Sequence, residues 1–133
     1  MANSMKLDLK GFDNLLERIK KAGGDINAAA EQALIESAKP FNEDLKAGIE
    51  KHRLTGVTEK SMKPLEVKWE GNIATLNVGF DMKKGGLPAL FIEYGTPTQK
   101  ADPFIRPAIT KNTPKARKIQ KKVLNDILGE LEK

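Results

Sequence analysis

Few residues in this chain could carry out a reaction. His52 is the single histidine, set in the polar stretch HRLTGVTEKSMKP, where a solvated side chain is expected. No HExxH spacing accompanies it, and with no cysteine the chain has no thiolate ligand, thiol nucleophile or disulfide. A serine or threonine nucleophile needs a positioned base, and no serine-centred glycine elbow is present. Carboxylate pairs for glycoside chemistry are set by distances in space. Most acids here sit near lysines at helical spacing, as Glu17 and Lys21 do, which is the pattern of surface pairing. KKGGLP has the residue types of a phosphate loop without its GxxxxGK[ST] spacing. The sequence thus predicts no enzyme, no metal site and no cofactor.

Two stretches have a different chemical character. From Lys111 to Lys122 there are six basic residues (Lys111, Lys115, Arg117, Lys118, Lys121, Lys122) and no acid. Such a run is either a solvated helix face or a sequence-independent contact with nucleic-acid phosphates, for which lysine serves as a point charge. Lys115, Arg117, Lys118, Lys121 and Lys122 are the candidate DNA-facing residues. Base reading is not indicated: the run has no interleaved aromatics and its only amide side chains are Asn112 and Gln120.

The other stretch is EYGTPTQKADPFIRPAI, residues 93–109. Pro97, Pro103 and Pro107 stiffen its backbone and bias the residues before them towards extended geometry. Phe104 and Ile105 would be presented from that stiff path, and burying either is worth about 1.5–3 kcal/mol. Arg106 can reach a carboxylate. The segment either closes the domain's own core or docks on another subunit. Four of the seven aromatics (Phe80, Phe91, Tyr94, Phe104) fall between residues 80 and 104, which puts the expected packing centre there.

The elements that must position these groups follow from periodicity. At 133 residues, 39% hydrophobic and 31% charged, the chain suits one soluble globular domain, residues 1–133. A net charge of +5 permits a polyanionic partner without demanding one. The opening MANSMKLDLKGF lacks the basic-then-apolar run of a signal peptide, and the apolar run LPALFI is far short of a membrane span, so no membrane role is expected. Phe12, Leu15, Leu16, Ile19 and Ala22 share a helical face that Gly23 and Gly24 end. Asp25 can cap a second helix whose stripe of Ile26, Ala29, Ala30, Ala33, Leu34, Phe41 and Leu45 runs to about Lys51. Pro40 predicts a kink there, or two helices end to end. The period then changes to two in LEVKWEGNIATLNVGF, a β-hairpin turning at Glu70, Gly71 and Asn72. Leu87, Leu90, Phe91 and Tyr94 predict a short helix opened near Pro88 and closed by Gly95, with a strand as the other reading. Thr113 and Pro114 would start a last helix with Ala116, Ile119, Val123, Ile127, Leu128 and Leu131 on its apolar face. The expected fold class is α+β, a small antiparallel β-sheet packed with N-terminal helices and a C-terminal helix. Two strands alone are marginal. A further strand is expected near Lys6–Leu9 or Thr96–Asp102, or from a neighbouring subunit.

FIEYGTPTQKADPFIRPAI resembles the pattern Φ-E-[YF]-G-T, a short polar spacer, then P-F-Φ-R-P-A, with Φ apolar. That pattern marks the small tail-completion or head–tail joining proteins of long-tailed bacteriophages and prophages. TGVTEKSM is similar to the family's T-G-x-L-x-x-S-Φ segment, with Thr58 in the leucine slot. The resemblance spans roughly residues 7 to 130. It implies an α+β structural protein of the virion neck, present in the host cytoplasm before assembly and typically forming rings of six. Its implied partners are copies of itself, the connector, tail-tube or tail-terminator proteins, and double-stranded DNA passing transiently through the bore. The carried-over assembly residues are Glu93, Tyr94, Gly95 and Thr96 in one block and Pro103, Phe104, Arg106, Pro107 and Ala108 in the other. The first block is expected to turn the chain at Gly95 and the second to fix the approach of the last helix. The reading from a different class is a small basic non-specific nucleic-acid-binding protein.

Overall fold

A computed structural model describes residues 2–51, 60–81, 85–98 and 100–133, and among these residues the chain forms a three-stranded antiparallel sheet with four α-helices. His52, residues 55–59 of the TGVTEKSM segment, Met82, Lys83, Lys84 and Gln99 lie outside the described residues. The α+β class is as the periodicities predicted.

The missing strand is N-terminal. β1 (Ala2–Asp8) pairs antiparallel with β3 (Ile73–Gly79), in a register that sets Met5 against Leu76 and Leu7 against Ala74. β2 (Lys68–Glu70) takes the other edge of β3, joined to it by a turn in which Gly71 supplies φ +60°. The hairpin was expected to begin at Leu65. Its ladder is only three residues long, although Leu65 and Val67 still pack against the core. The alternation of Ala74, Leu76 and Val78 puts three apolar side chains on one sheet face, and that face meets α2 (Ile26–Glu50). With β1 in place the sheet does not depend on a strand from a second copy.

A four-residue 3₁₀ turn (Leu9–Phe12) leads into α1 (Asp13–Lys21), which buries Leu16 and Ile19. Gly23 at φ +92° ends that helix, and the N–H of Gly24 donates to the Ile19 carbonyl at 2.9 Å. Asp25 caps α2 as the sequence predicted: its Oδ1 accepts from the amides of Asn27 and Ala28 at 2.9 and 3.2 Å. The expected break at Pro40 is absent as a helix boundary, for α2 runs as one helix of 25 residues. Proline at that point removes one backbone donor. The helix is held on both sides of the gap by Ala33, Leu34, Ala38, Phe41 and Leu45, all buried.

The largest departure concerns the last helix. α4 (Ile105–Leu131) begins eight residues before Thr113, and Pro114 lies inside it. Thr113 does not cap. Its hydroxyl donates to the Ile109 carbonyl at 2.6 Å, one turn back. The lost Pro114 donor is outweighed by packing along α2, where Ile105, Ala108, Asn112, Gln120, Leu124 and Leu128 are all buried. Pro107 sits in the first helical turn, where a missing N–H costs nothing because that donor has no partner within the helix.

Candidate assembly and nucleic-acid interface

Glu93 joins the two halves of the proline-rich stretch. It lies near the end of α3 (Leu87–Tyr94), whose start carries Pro88 and whose end is Gly95 at φ +78°. Its side chain is fully buried. One carboxylate oxygen accepts from the backbone amides of Phe104 and Ile105, each at 2.8 Å. The other accepts from the Arg106 amide and from Arg106 Nε, each at 3.1 Å. These amides are the unsatisfied donors at the start of α4, so Glu93 caps that helix from 11 to 13 residues upstream and sits at the positive end of its dipole. Burial pushes the carboxyl pKa up. The amides of Ile105, Arg106 and Phe104, with the Arg106 side chain, more than offset this and hold it below the ordinary glutamate value.

Around this carboxylate the two sequence blocks close on one another. The Arg106 guanidinium stacks over the Tyr94 ring at 5.4 Å. The amide of Asp102 donates to the Ile92 carbonyl at 2.8 Å. Thr96 makes a local turn, its hydroxyl accepting from the Thr98 amide at 3.3 Å. Pro103 is exposed and leads into Phe104, whose ring meets Phe80 edge-on with centroids 6.0 Å apart. Phe104 also covers Gly48 of α2, so closely that a Cβ there would lie 2.4 Å from the ring. The connector therefore closes the domain's own core. The chain turns at Gly95 as expected of the first block, whereas the head of the last helix, expected to be fixed by the second block, is held by the Glu93 carboxylate of the first acting on the amides of the second.

α3 is a helix, yet its apolar row points the unexpected way. Ala89, Ile92 and Glu93 face inward, whereas Leu87, Phe91 and Tyr94 are 47%, 47% and 62% exposed. Two of the four aromatics assigned to the packing centre, Phe91 and Tyr94, thus stand on the surface. Their spacing, i, i+4 and i+7, makes one outward stripe beside the Glu93 clasp.

The five candidate DNA-facing residues separate into two groups. Arg117 is engaged: its guanidinium lies 4.8 Å over the Phe12 ring and donates to the Gly11 carbonyl at 3.2 Å, tying α4 to the 3₁₀ turn. Lys115, Lys118, Lys121 and Lys122 are exposed, and among the described residues no ion pair or hydrogen bond occupies them. Lys111, at the head of the run, lies 3.6 Å from Asp44 of α2. Both amide side chains of the run turn inward. Asn112 donates to Asp44 and to the Ala108 carbonyl, each at 2.8 Å, and Gln120 donates to the Ser37 hydroxyl at 3.1 Å.

Among the described residues no cluster of three or more His, Asp or Glu side chains could hold a metal ion. A surface depression of about 430 Å³ runs between β1 and α4 and is lined by residues such as Leu7, Phe12, Thr113 and Arg117. No described helix is long and apolar enough to cross a membrane.

Sequence reasoning did not find the partnership of Glu93 with the α4 amides, nor the contact of Gly48 with Phe104. The first left a trace: Glu93 is the only acid in LPALFIEYG, a charge in an apolar helix with no basic residue at i±3 or i±4. No family model, no curated protein and no solved structure matches this chain.

Proposed function

We propose that this chain is a structural virion protein, a ring-former of the phage neck that joins the head connector to the tail, with DNA passing through its bore. The observation that carries the reading is the outward stripe of Leu87, Phe91 and Tyr94, mounted on the rigid Glu93 clasp. Aromatic and leucine side chains held on a fixed helix and turned to solvent suit a contact between proteins. The motif residues that make the clasp, Glu93, Tyr94, Phe104 and Arg106, are also those that carry the resemblance to tail-completion proteins. They do architectural work here, capping a helix and packing a core.

Deleting the gene from the phage or prophage that carries it tests the reading. Lysates of the mutant should contain DNA-filled heads and separate tails. Normally joined, infectious particles would overturn it. A finer test replaces Leu87 and Phe91 by serine. Assembly onto the connector should be lost while the melting temperature of the isolated chain is nearly unchanged.

A further inference from the structure

We infer that the outward face of α4 is a sequence-independent contact for the phosphate backbone of double-stranded DNA, made by Lys115, Lys118 and Lys122 with Lys121 at its flank. The inference stands on the geometry of this helix. It would deepen the neck-protein reading by naming the side chains that meet the duplex.

Lys111, Lys115, Lys118 and Lys122 stand at i, i+4, i+7 and i+11, so they form one row along the helix. At about 1.5 Å per residue the row is roughly 16 Å long, close to five base-pair steps of about 3.4 Å. Every one of these ammonium groups is exposed. Lys111 shares its charge with Asp44. The other three, and Lys121, have no carboxylate within ion-pair distance among the described residues. Like charges at i, i+3 and i, i+4 destabilise a helix by a few tenths of a kcal/mol per pair. A merely solvated face would be interleaved with acids, as α1 is by Glu17 beside Lys21. A face without such acids is complementary to a polyanion.

The surroundings of the row choose among polyanions. Asn112 and Gln120, the only amide side chains in the run, are buried and bonded inward, so nothing on this face can read a base edge. No aromatic side chain lies between the lysines to stack an unpaired base, which disfavours single strands. The apolar face of α4 is spent on α2 and the core, so the helix has no hydrophobic side to insert into a lipid surface. What remains is a single row of point charges along one helix face, which suits the regular phosphates of a duplex.

The test is a titration of the full chain against a fluorescent DNA duplex of arbitrary sequence at a series of salt concentrations. With about four phosphate contacts, log K should fall against log salt with a slope near −3.6, about a hundredfold between 50 and 200 mM. The triple variant K115Q/K118Q/K122Q should lose about 2.7 of that slope, again at 0.9 per contact. R117Q should lower the melting temperature and leave the slope in place, because Arg117 is engaged with Gly11 and Phe12. Full retention of binding by the triple variant would overturn the inference. So would tighter binding to single strands, or to vesicles rich in phosphatidylserine, than to the duplex. Joined particles in the deletion lysate together with the predicted slope would sink the neck reading alone. Separate heads and tails with no duplex binding would sink this inference alone.

Discussion

The start of α4 and its middle lie on one helix and treat charge in opposite ways. At the start, a single carboxylate is taken wholly out of water and given four hydrogen bonds from the residues it caps. In the middle, four lysines stay in water with no partner among the described residues. A buried charge is tolerated only when it is fully bonded, so Glu93 is committed to holding the fold. Exposed, unpaired lysines contribute almost nothing to the fold and remain available to a ligand. Two charge-bearing stretches of similar prominence in the sequence therefore belong to different links of the chain from structure to function.

The sharpest way to break this contrast is Glu93→Ala. It leaves three helix-start amides, one buried and two partly buried, and the largely exposed Arg106 guanidinium without their acceptor, and should cost about 2–4 kcal/mol in chemical denaturation. A loss below 1 kcal/mol would mean that the cap is not holding the helix. The same carboxylate gives a pH signature. Its folded pKa is lowered, so the unfolded chain binds the proton more readily, and the stabilisation is fully present above the ordinary glutamate value of about 4.3. It is lost as the pH falls through the lowered folded value. Glu93→Gln should flatten that acid limb of the stability profile, and an unchanged limb would show that other carboxylates control it.

Gly48→Ala comes next. The added Cβ would meet the Phe104 ring at 2.4 Å, and that ring is already seated against Phe80, so relief requires moving the connector. The expected cost is about 1–3 kcal/mol, read as a lowered denaturation midpoint. Arg106→Ala should cost less, about 1 kcal/mol, since its guanidinium is largely exposed and Glu93 keeps its three backbone donors. At the far end, K115Q/K118Q/K122Q should leave stability unchanged or raise it by a few tenths of a kcal/mol by relieving like-charge repulsion. A marked destabilisation would place these lysines with Glu93, on the structural side of the contrast.

How far the sequence carried this picture depends on how local each determinant is. Gly23 and Gly24, Asp25, and the alternation Ala74, Leu76, Val78 act within a few residues of themselves, and each formed the predicted element. Thr113 and Pro114 looked like a helix start because their local chemistry is that of one. The true start at Ile105 is set by a carboxylate more than ten residues away, a distance no local pattern encodes. The stripe of Leu87, Phe91 and Tyr94 was correct as helical spacing. Which side of a short helix faces the core depended on Ala89 and Ile92, the side chains that fit against it.

By itself, then, the amino-acid sequence determined the α+β class, the Asp25 cap, the turns at Gly23 and Gly71, the lack of thiols and the basic run. These follow from backbone propensity, hydrophobic period and side-chain chemistry, which act over one or two turns. The tertiary structure alone decided that Glu93 holds the head of α4, that Arg117 is bound while four lysines are free among the described residues, and that an apolar stripe points outward. Those outcomes turn on which groups lose their water when distant segments meet, and desolvation is a property of the packed molecule.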